Sequence, residues 1–330
     1  MAWEFDGLFD SLRPETEDLT SAFWTREATA IRVGTMGYRT ATTKAGTRLE
    51  AEIYPIFGRQ KETQLREKKR NRTPERVKEQ NMIRSKRRLV LMLENNFDYW
   101  KDVAVTLTYA EKDVTLKRCR ADIRNFILRV RRERKARGLA DMKWILAIGY
   151  DEQQQIHAHM VLNGGIDRTD LERIWGHGYA NTYALQTYGK GLQGIGNYLY
   201  KQNESAKRKG LRENVKCWSG SRNLKKPKER VSDSKFSKAR IKNIAYDFEN
   251  EAKAITERTY PGYTLEECRV YYSDMIDGVY IRCVMRRMGG FPIAPQAPFG
   301  RNVLKEERVC GGKRGNGSGT GGRSGGTGSA

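Results

Sequence analysis

The sequence predicts an α+β protein whose centre is a ferredoxin-like, RRM-like antiparallel sheet with helices on one face. Two observations carry this. Residues 101–203 follow the order strand, helix, strand, strand, helix, strand. Apolar residues alternate within the strand segments and recur every three or four positions within the first helix. A basic N-terminal extension precedes this block and an accessory region follows it.

Each element has its own signal. Residues 103–109 (VAVTLTY) are β-branched and alternating, with Val105 and Leu107 on one face and Thr106 and Thr108 on the other. Residues 115–137 make an amphipathic helix, burying Leu116, Cys119, Ile123, Phe126, Ile127 and Val130 while arginines fill the outer face; Gly138 ends it. Residues 143–150 (KWILAIGY) and 156–162 (IHAHMVL) are the next strands, joined by a polar DEQQQ loop. Thr169 to Glu172 read as a capping box opening a short helix that buries Leu171, Ile174 and Trp175, and Gly176 and Gly178 stop it. A fourth strand over 179–185 and a helix over 191–202 complete the block. Beyond it, the spacing predicts a helix over 237–258 and a strand pair near 270–272 and 279–285.

Composition narrows the partners. The 330 residues hold 62 Lys+Arg against 40 Asp+Glu, a formal net charge of +22, which points to a polyanion and most commonly nucleic acid. The charge concentrates in residues 61–90, with 12 Lys/Arg against 4 Glu, and in 201–230, with 11 against 3. No apolar run reaches the roughly 20 residues of a membrane span, and the acidic N-terminus lacks a signal-peptide stretch, so a cytoplasmic protein is expected. Five cysteines spread from Cys119 to Cys310 form no close pair in sequence, against a disulfide framework or zinc knuckle. No phosphate-binding Gly-x4-Gly-Lys-Ser/Thr motif occurs, so no nucleotide cofactor is expected.

Only three histidines occur, and His157 and His159 stand two apart on one strand, so both imidazoles share a face. Ile156, Ala158, Met160 and Leu162 then point to the core, and the open face offers two nitrogen ligands to a divalent metal. On the last helix (GLQGIGNYLYKQ), Leu192, Ile195 and Leu199 form the buried stripe. At roughly 100° per residue, Tyr198, Lys201 and Gln202 fall on one flank and Tyr200 on the other. A phenol one turn from an ammonium suits a nucleophile: the cation is expected to lower the tyrosine pKa and hold a phosphate. Metal and phenol together fit in-line attack on a DNA phosphodiester, leaving a 5′-phosphotyrosine and a free 3′-hydroxyl.

These pieces resemble the His-hydrophobe-His (HUH) endonucleases, specifically the rolling-circle replication initiators of phages and plasmids. The matching segments are VTLTY (105–109), IHAHMVLNGG (156–165), IWGHGYA (174–180) and NYLYKQ (197–202), and WSGSRNLKKP (218–227) resembles a segment that follows the catalytic domain in phage-type initiators. The resemblance implies His157 and His159 as ligands of Mg²⁺ or Mn²⁺, Tyr198 as the nucleophile and Lys201 as its helper. It also implies single-stranded origin DNA as substrate, with helicase and polymerase supplied by a bacterial host. Many relatives carry a third-ligand Glu where Gly149 stands here; Glu152, Gln154 and Gln202 are the candidates to replace it. Tyr198 and Tyr200 point apart, which implies a single-tyrosine enzyme. His177, in a Gly-His-Gly turn, is expected to be an exposed loop residue outside the site. Trp218, Arg222, Lys225 and Lys226 are the candidates for a stacking and backbone groove on single-stranded DNA.

The expected organisation is an N-terminal basic extension over 1–100, the endonuclease domain over 101–203, an accessory DNA-binding region over 204–305 and a flexible Gly-rich tail over 306–330. The competing expectation is a non-enzymatic binder of single-stranded nucleic acid. A binder of that kind wants exposed aromatics where Thr106, Thr108, His157 and His159 stand.

Overall fold

The computed structural model describes residues 37–56, 74–151, 153–186, 191–208, 216–247, 250–271 and 278–289. In chain order the elements are β1 (Gly37–Ala45), β2 (Arg48–Ile56), α1 (Pro74–Asn96), β3 (Val103–Thr108), α2 (Leu116–Ala136), β4 (Trp144–Tyr150), β5 (Ile156–Leu162), α3 (Arg168–Trp175), β6 (Ala180–Ala184), α4 (Gln193–Arg208), β7 (Ser219–Gly220), β8 (Lys228–Ser232), α5 (Lys238–Tyr246), α6 (Glu251–Thr259), β9 (Tyr263–Tyr271) and β10 (Tyr280–Arg287). The described residues thus form six helices and two antiparallel five-stranded sheets, an α+β fold.

The first sheet runs β6-β3-β5-β4-β7. Its first four strands have the ferredoxin-like order, because β3 and β4 are parallel and β5 slots antiparallel between them. Val105, Leu107, Ile156, Ala158, Met160 and Leu162 face α2 and α3 in one core with Cys119, Ile123, Phe126, Val130, Leu171, Ile174 and Trp175. Thr115 caps α2, its side chain accepting from the Arg118 N–H. The cap of α3 is Asp167 rather than Thr169; its carboxylate accepts from the Asp170 N–H, and Gly176 closes the helix with a left-handed φ of 66°. Arg134 of α2 is buried, a charge that periodicity assigns to solvent. Its guanidinium is held by the carbonyls of Ala140, Asn163 and Gly164.

The fifth strand comes from the segment after the Tyr-bearing helix. Ser219–Gly220 pairs with β4, and Ser221 exchanges bonds with Trp144. Asn96 grips Lys225 by both of its backbone polar groups.

The second sheet, β8-β1-β2-β10-β9, joins strands from either side of the first. Thr40 pairs with Ser232 and Ile53 with Ile281. One face packs on α5 and α6 through Leu49, Ala51, Ile53, Ile281, Cys283 and Met285. The single helix expected over 237–258 is therefore two, α5 ending at Tyr246 and α6 opening at Glu251. Cys268 and Cys283, distant in sequence, are cross-strand partners with Sγ atoms 3.7 Å apart, both free thiols.

Helix α1 lies between the sheets and has two different sides. Leu89, Met92 and Leu93 pack with Leu192, Leu199 and Tyr200 of the tyrosine-bearing segment against Ile145, Ala147 and Val161. The second face of the first sheet is thus largely covered, where the sequence predicts an open one. The other side of α1 meets the second sheet through charge. Arg87 bonds Glu50 at 2.6 Å and also Glu52, while Glu50 takes Arg48 at 2.8 Å and Arg282 at 3.1 Å. Residues 1–36 and the tail over 306–330 lie outside the described residues.

Candidate functional site

Strand alternation turns His157 and His159 away from the α2/α3 core, and their rings meet edge to face with centroids 4.7 Å apart. His159 is buried, only 4% exposed, between Thr106, His157 and Tyr198. Its Nδ1 lies 3.0 Å from Oγ1 of Thr106, its direct partner on β3, and its Nε2 lies 3.4 Å from Tyr198 Oη on α4. Thr106 fixes the ring, and the other nitrogen faces the phenol. His157 is held by the backbone of Gln155 and by the side chain of Gln202.

Gln202 also bonds Tyr198, one turn earlier on the same helix, so one amide links both sides of the site. Gly149, on β4 opposite His157, makes that approach feasible. A Cβ there would lie 3.0 Å from His157 Nε2, 3.2 Å from Gln202 Cβ and 3.4 Å from Gln202 Oε1. The missing side chain at Gly149 leaves the space that Gln202 enters. Glu152 lies outside the described residues, and Gln154 is exposed in the β4–β5 hairpin, where its φ is 64°.

Burial pushes both imidazoles below the ordinary histidine range, His159 to about 3 with help from the neighbouring His157. Both rings are therefore neutral near pH 7, the state in which a nitrogen lone pair is available to a cation. Among the described residues no group of three or more His, Cys, Asp or Glu could hold a metal. Among the described residues, Gln202 is the side chain with a carbonyl oxygen that acts on His157.

Tyr198 is half exposed, and burial, with a smaller push from Tyr183, raises its pKa against the opposing hydrogen bond from Gln202. The expected lowering by Lys201 is not what acts on it. Lys201 is exposed one turn along α4, and its ammonium in solvent is too well screened to compete with desolvation. Tyr200 is 4% exposed and packs among Leu89, Leu93 and Leu199. One tyrosine of this helix, not two, faces the histidines.

The head of α4 is clamped by α1 and by the second sheet. Glu94 of α1 accepts the Leu192 N–H at 2.9 Å, the Tyr99 hydroxyl at 2.7 Å and Arg286 of β10 at 3.2 Å. Arg48 of β2 donates to Gln193 Oε1 at 2.9 Å. Sequence reasoning missed these groups and Thr106. For Thr106 the signal was present, since the outward threonines of VTLT sit beside the histidine face.

The other expected residues divide. Arg222, Lys225 and Lys226 are near β7, Arg222 and Lys226 exposed and Lys225 exposed with its backbone held by Asn96. Trp218 is not an exposed stacking ring: it is half-buried against the α1/α4 core and its indole N–H donates to Ser85. His177 is half-buried too, stacked edge-on to Trp175 and 3.8 Å from Asp122, so it is a packed residue rather than an exposed one.

Among the described residues no helix is long and apolar enough to cross a membrane. No curated protein and no solved structure matches the chain. Residues 102–203 match a family model described as a replication-associated protein. That span runs from the residue before β3 to the residue after Gln202, so the part of the chain that carries the site is similar to replication-associated proteins.

Proposed function

We propose that this protein is a replication-initiating endonuclease of the HUH type, nicking and rejoining single-stranded origin DNA through a covalent 5′-phosphotyrosine in rolling-circle replication. The observation that carries the reading is the 3.4 Å approach of Tyr198 Oη to His159 Nε2 beside His157 and Gln202. The match of residues 102–203 to a replication-associated family supports it.

His157, His159 and Gln202 would hold a divalent ion, and two imidazoles with one amide oxygen suit Mn²⁺ or Mg²⁺, the nitrogens favouring Mn²⁺. When bound, the ion polarises the scissile phosphate. Tyr198 supplies the attacking oxygen: its bond to phosphorus forms as the bond to the 3′-oxygen breaks, and that oxygen leaves as a hydroxyl. Gln202 holds the phenol and His157 in one frame, and Lys201 meets a phosphate oxygen. The phosphodiester energy is kept in the tyrosyl link, so a returning 3′-hydroxyl can reverse the step. Host helicase and polymerase would extend the freed end.

Incubation with a pool of single-stranded oligonucleotides and Mn²⁺ tests this. The reading expects a denaturation-resistant protein–DNA adduct that disappears with EDTA and in Tyr198→Phe. An adduct undiminished in Tyr198→Phe overturns the assignment.

A further inference from the structure

Of the four strongly exposed tyrosines among the described residues, three lie round one surface: Tyr198 at 48%, Tyr183 at 50% and Tyr179 at 66%. The fourth, Tyr246, ends α5. Tyr183 pairs with Ala104 and Asn181 with Thr106, while Ala180 enters the α2/α3 core. Strand alternation therefore puts Tyr183 and Asn181 on the same sheet face as His157 and His159, and Tyr179 stands one residue before β6. The Tyr179 carbonyl accepts the Thr108 N–H at 3.0 Å, which ties this end of the edge strand to β3. Tyr183 is near enough to Tyr198 for its phenol to act on that group's ionisation.

The geometry points to Tyr183 on the edge strand β6, with Tyr179 just before it, as a base-stacking platform for single-stranded DNA beside the nucleophile. This rests on the proposed nicking function for the identity of the strand that crosses the site. Three arguments select the occupant. Large rings on an exposed strand edge are a liability that soluble proteins usually blunt with charge, so their retention on the site's own face calls for a partner. The chain's +22 charge and the exposed Lys201 beside Tyr198 complement a polyanion. The spacing excludes a stacked duplex: four residues of strand span about 13 Å, against roughly 3.4 Å between stacked bases. Each ring would take one splayed base, as single strands allow.

The test uses the full chain, a fluorescein-labelled 20-mer of deoxythymidine, and EDTA so that no strand is cut. Tyr179→Ala and Tyr183→Ala should each weaken binding about fivefold or more, and Phe at either position should stay within about twofold. The slope of log Kd against log salt should not change, because no phosphate contact is removed. A 20-mer of abasic sites, which keeps the phosphates, should bind the wild type and the Ala variants alike. Both rings are exposed, so the thermal melt of the double Ala variant should match wild type. Unchanged binding of the deoxythymidine 20-mer by the double Ala variant overturns the platform, and so does an equal loss on the abasic strand. Either result leaves the Tyr198 adduct experiment untouched, so the two readings fail separately.

Discussion

The carboxylate of Glu94 accepts the backbone N–H of Leu192 at 2.9 Å, immediately before the helix that carries Tyr198. The same carboxylate holds Arg286 from the second sheet, and Gly191, with φ 63°, leaves no room there for a side chain: its Cβ would lie 2.2 Å from Glu94 Oε1. Glu94→Gln keeps an acceptor but removes one of the two carboxylates on Arg286, which retains Glu266 at 2.6 Å. The loss, to be seen as a lower melting temperature, should therefore stay below the about 3–5 kcal/mol of a buried charge left wholly unpaired. Because the head of α4 is loosened, the single-turnover rate of adduct formation should fall at least about tenfold, while affinity for a deoxythymidine 20-mer changes little. Equal losses in both would mean that Glu94 does no more than hold the fold.

Gly149 controls how closely Gln202 approaches His157. Gly149→Ala places a methyl 3.0 Å from His157 Nε2 and 3.2 Å from Gln202 Cβ. Displacing the proposed ligand in this way should weaken Mn²⁺ binding by about 10–100-fold, measured by calorimetry on the folded variant. Gln202→Ala should do the same and, since it also frees Tyr198, should slow adduct formation at saturating Mn²⁺.

The buried charges make stability depend on pH. Burial alone would push the Glu50 carboxyl up, but Arg87, Arg282 and Arg48 together hold it well below the usual carboxylate value of 4.5. A carboxyl depressed in the folded state adds stability that is full above its unfolded pKa and is lost as pH falls below it. Urea midpoints should therefore drop steadily below about pH 4.5. Glu50→Gln should flatten that slope and, with three guanidiniums left facing an amide, should lower stability at pH 7 by about 3–5 kcal/mol. A wild-type midpoint that does not move between about pH 5 and about pH 3 would contradict the cluster's role.

What could be read from the chain was what lies close along it. Val105 and Leu107, the stripe from Cys119 to Val130 and the alternating strand from Ile156 to Leu162 all fall in the α2/α3 core. The site's main parts were legible for the same reason: one strand sets the two histidines, and one helical turn sets Tyr198 and Gln202. The second sheet was hidden because its partners are remote, Thr40 with Ser232 and Ile53 with Ile281. Charge misled where it is buried, since Glu50, Arg48, Arg286 and Arg134 look like surface residues until their partners are in place. Trp218 looked like a stacking ring, but Ser85 and the apolar side of α1 claim it.

The most direct measurement is mass spectrometry of the peptide bearing residues 197–201 after reaction with single-stranded oligonucleotides and Mn²⁺. A nucleotide on Tyr198 alone, with Tyr200→Phe reacting as wild type does, is the expected result. A nucleotide on Tyr200, on Tyr183 or on any other phenol would contradict the assignment of Tyr198 as the attacking group.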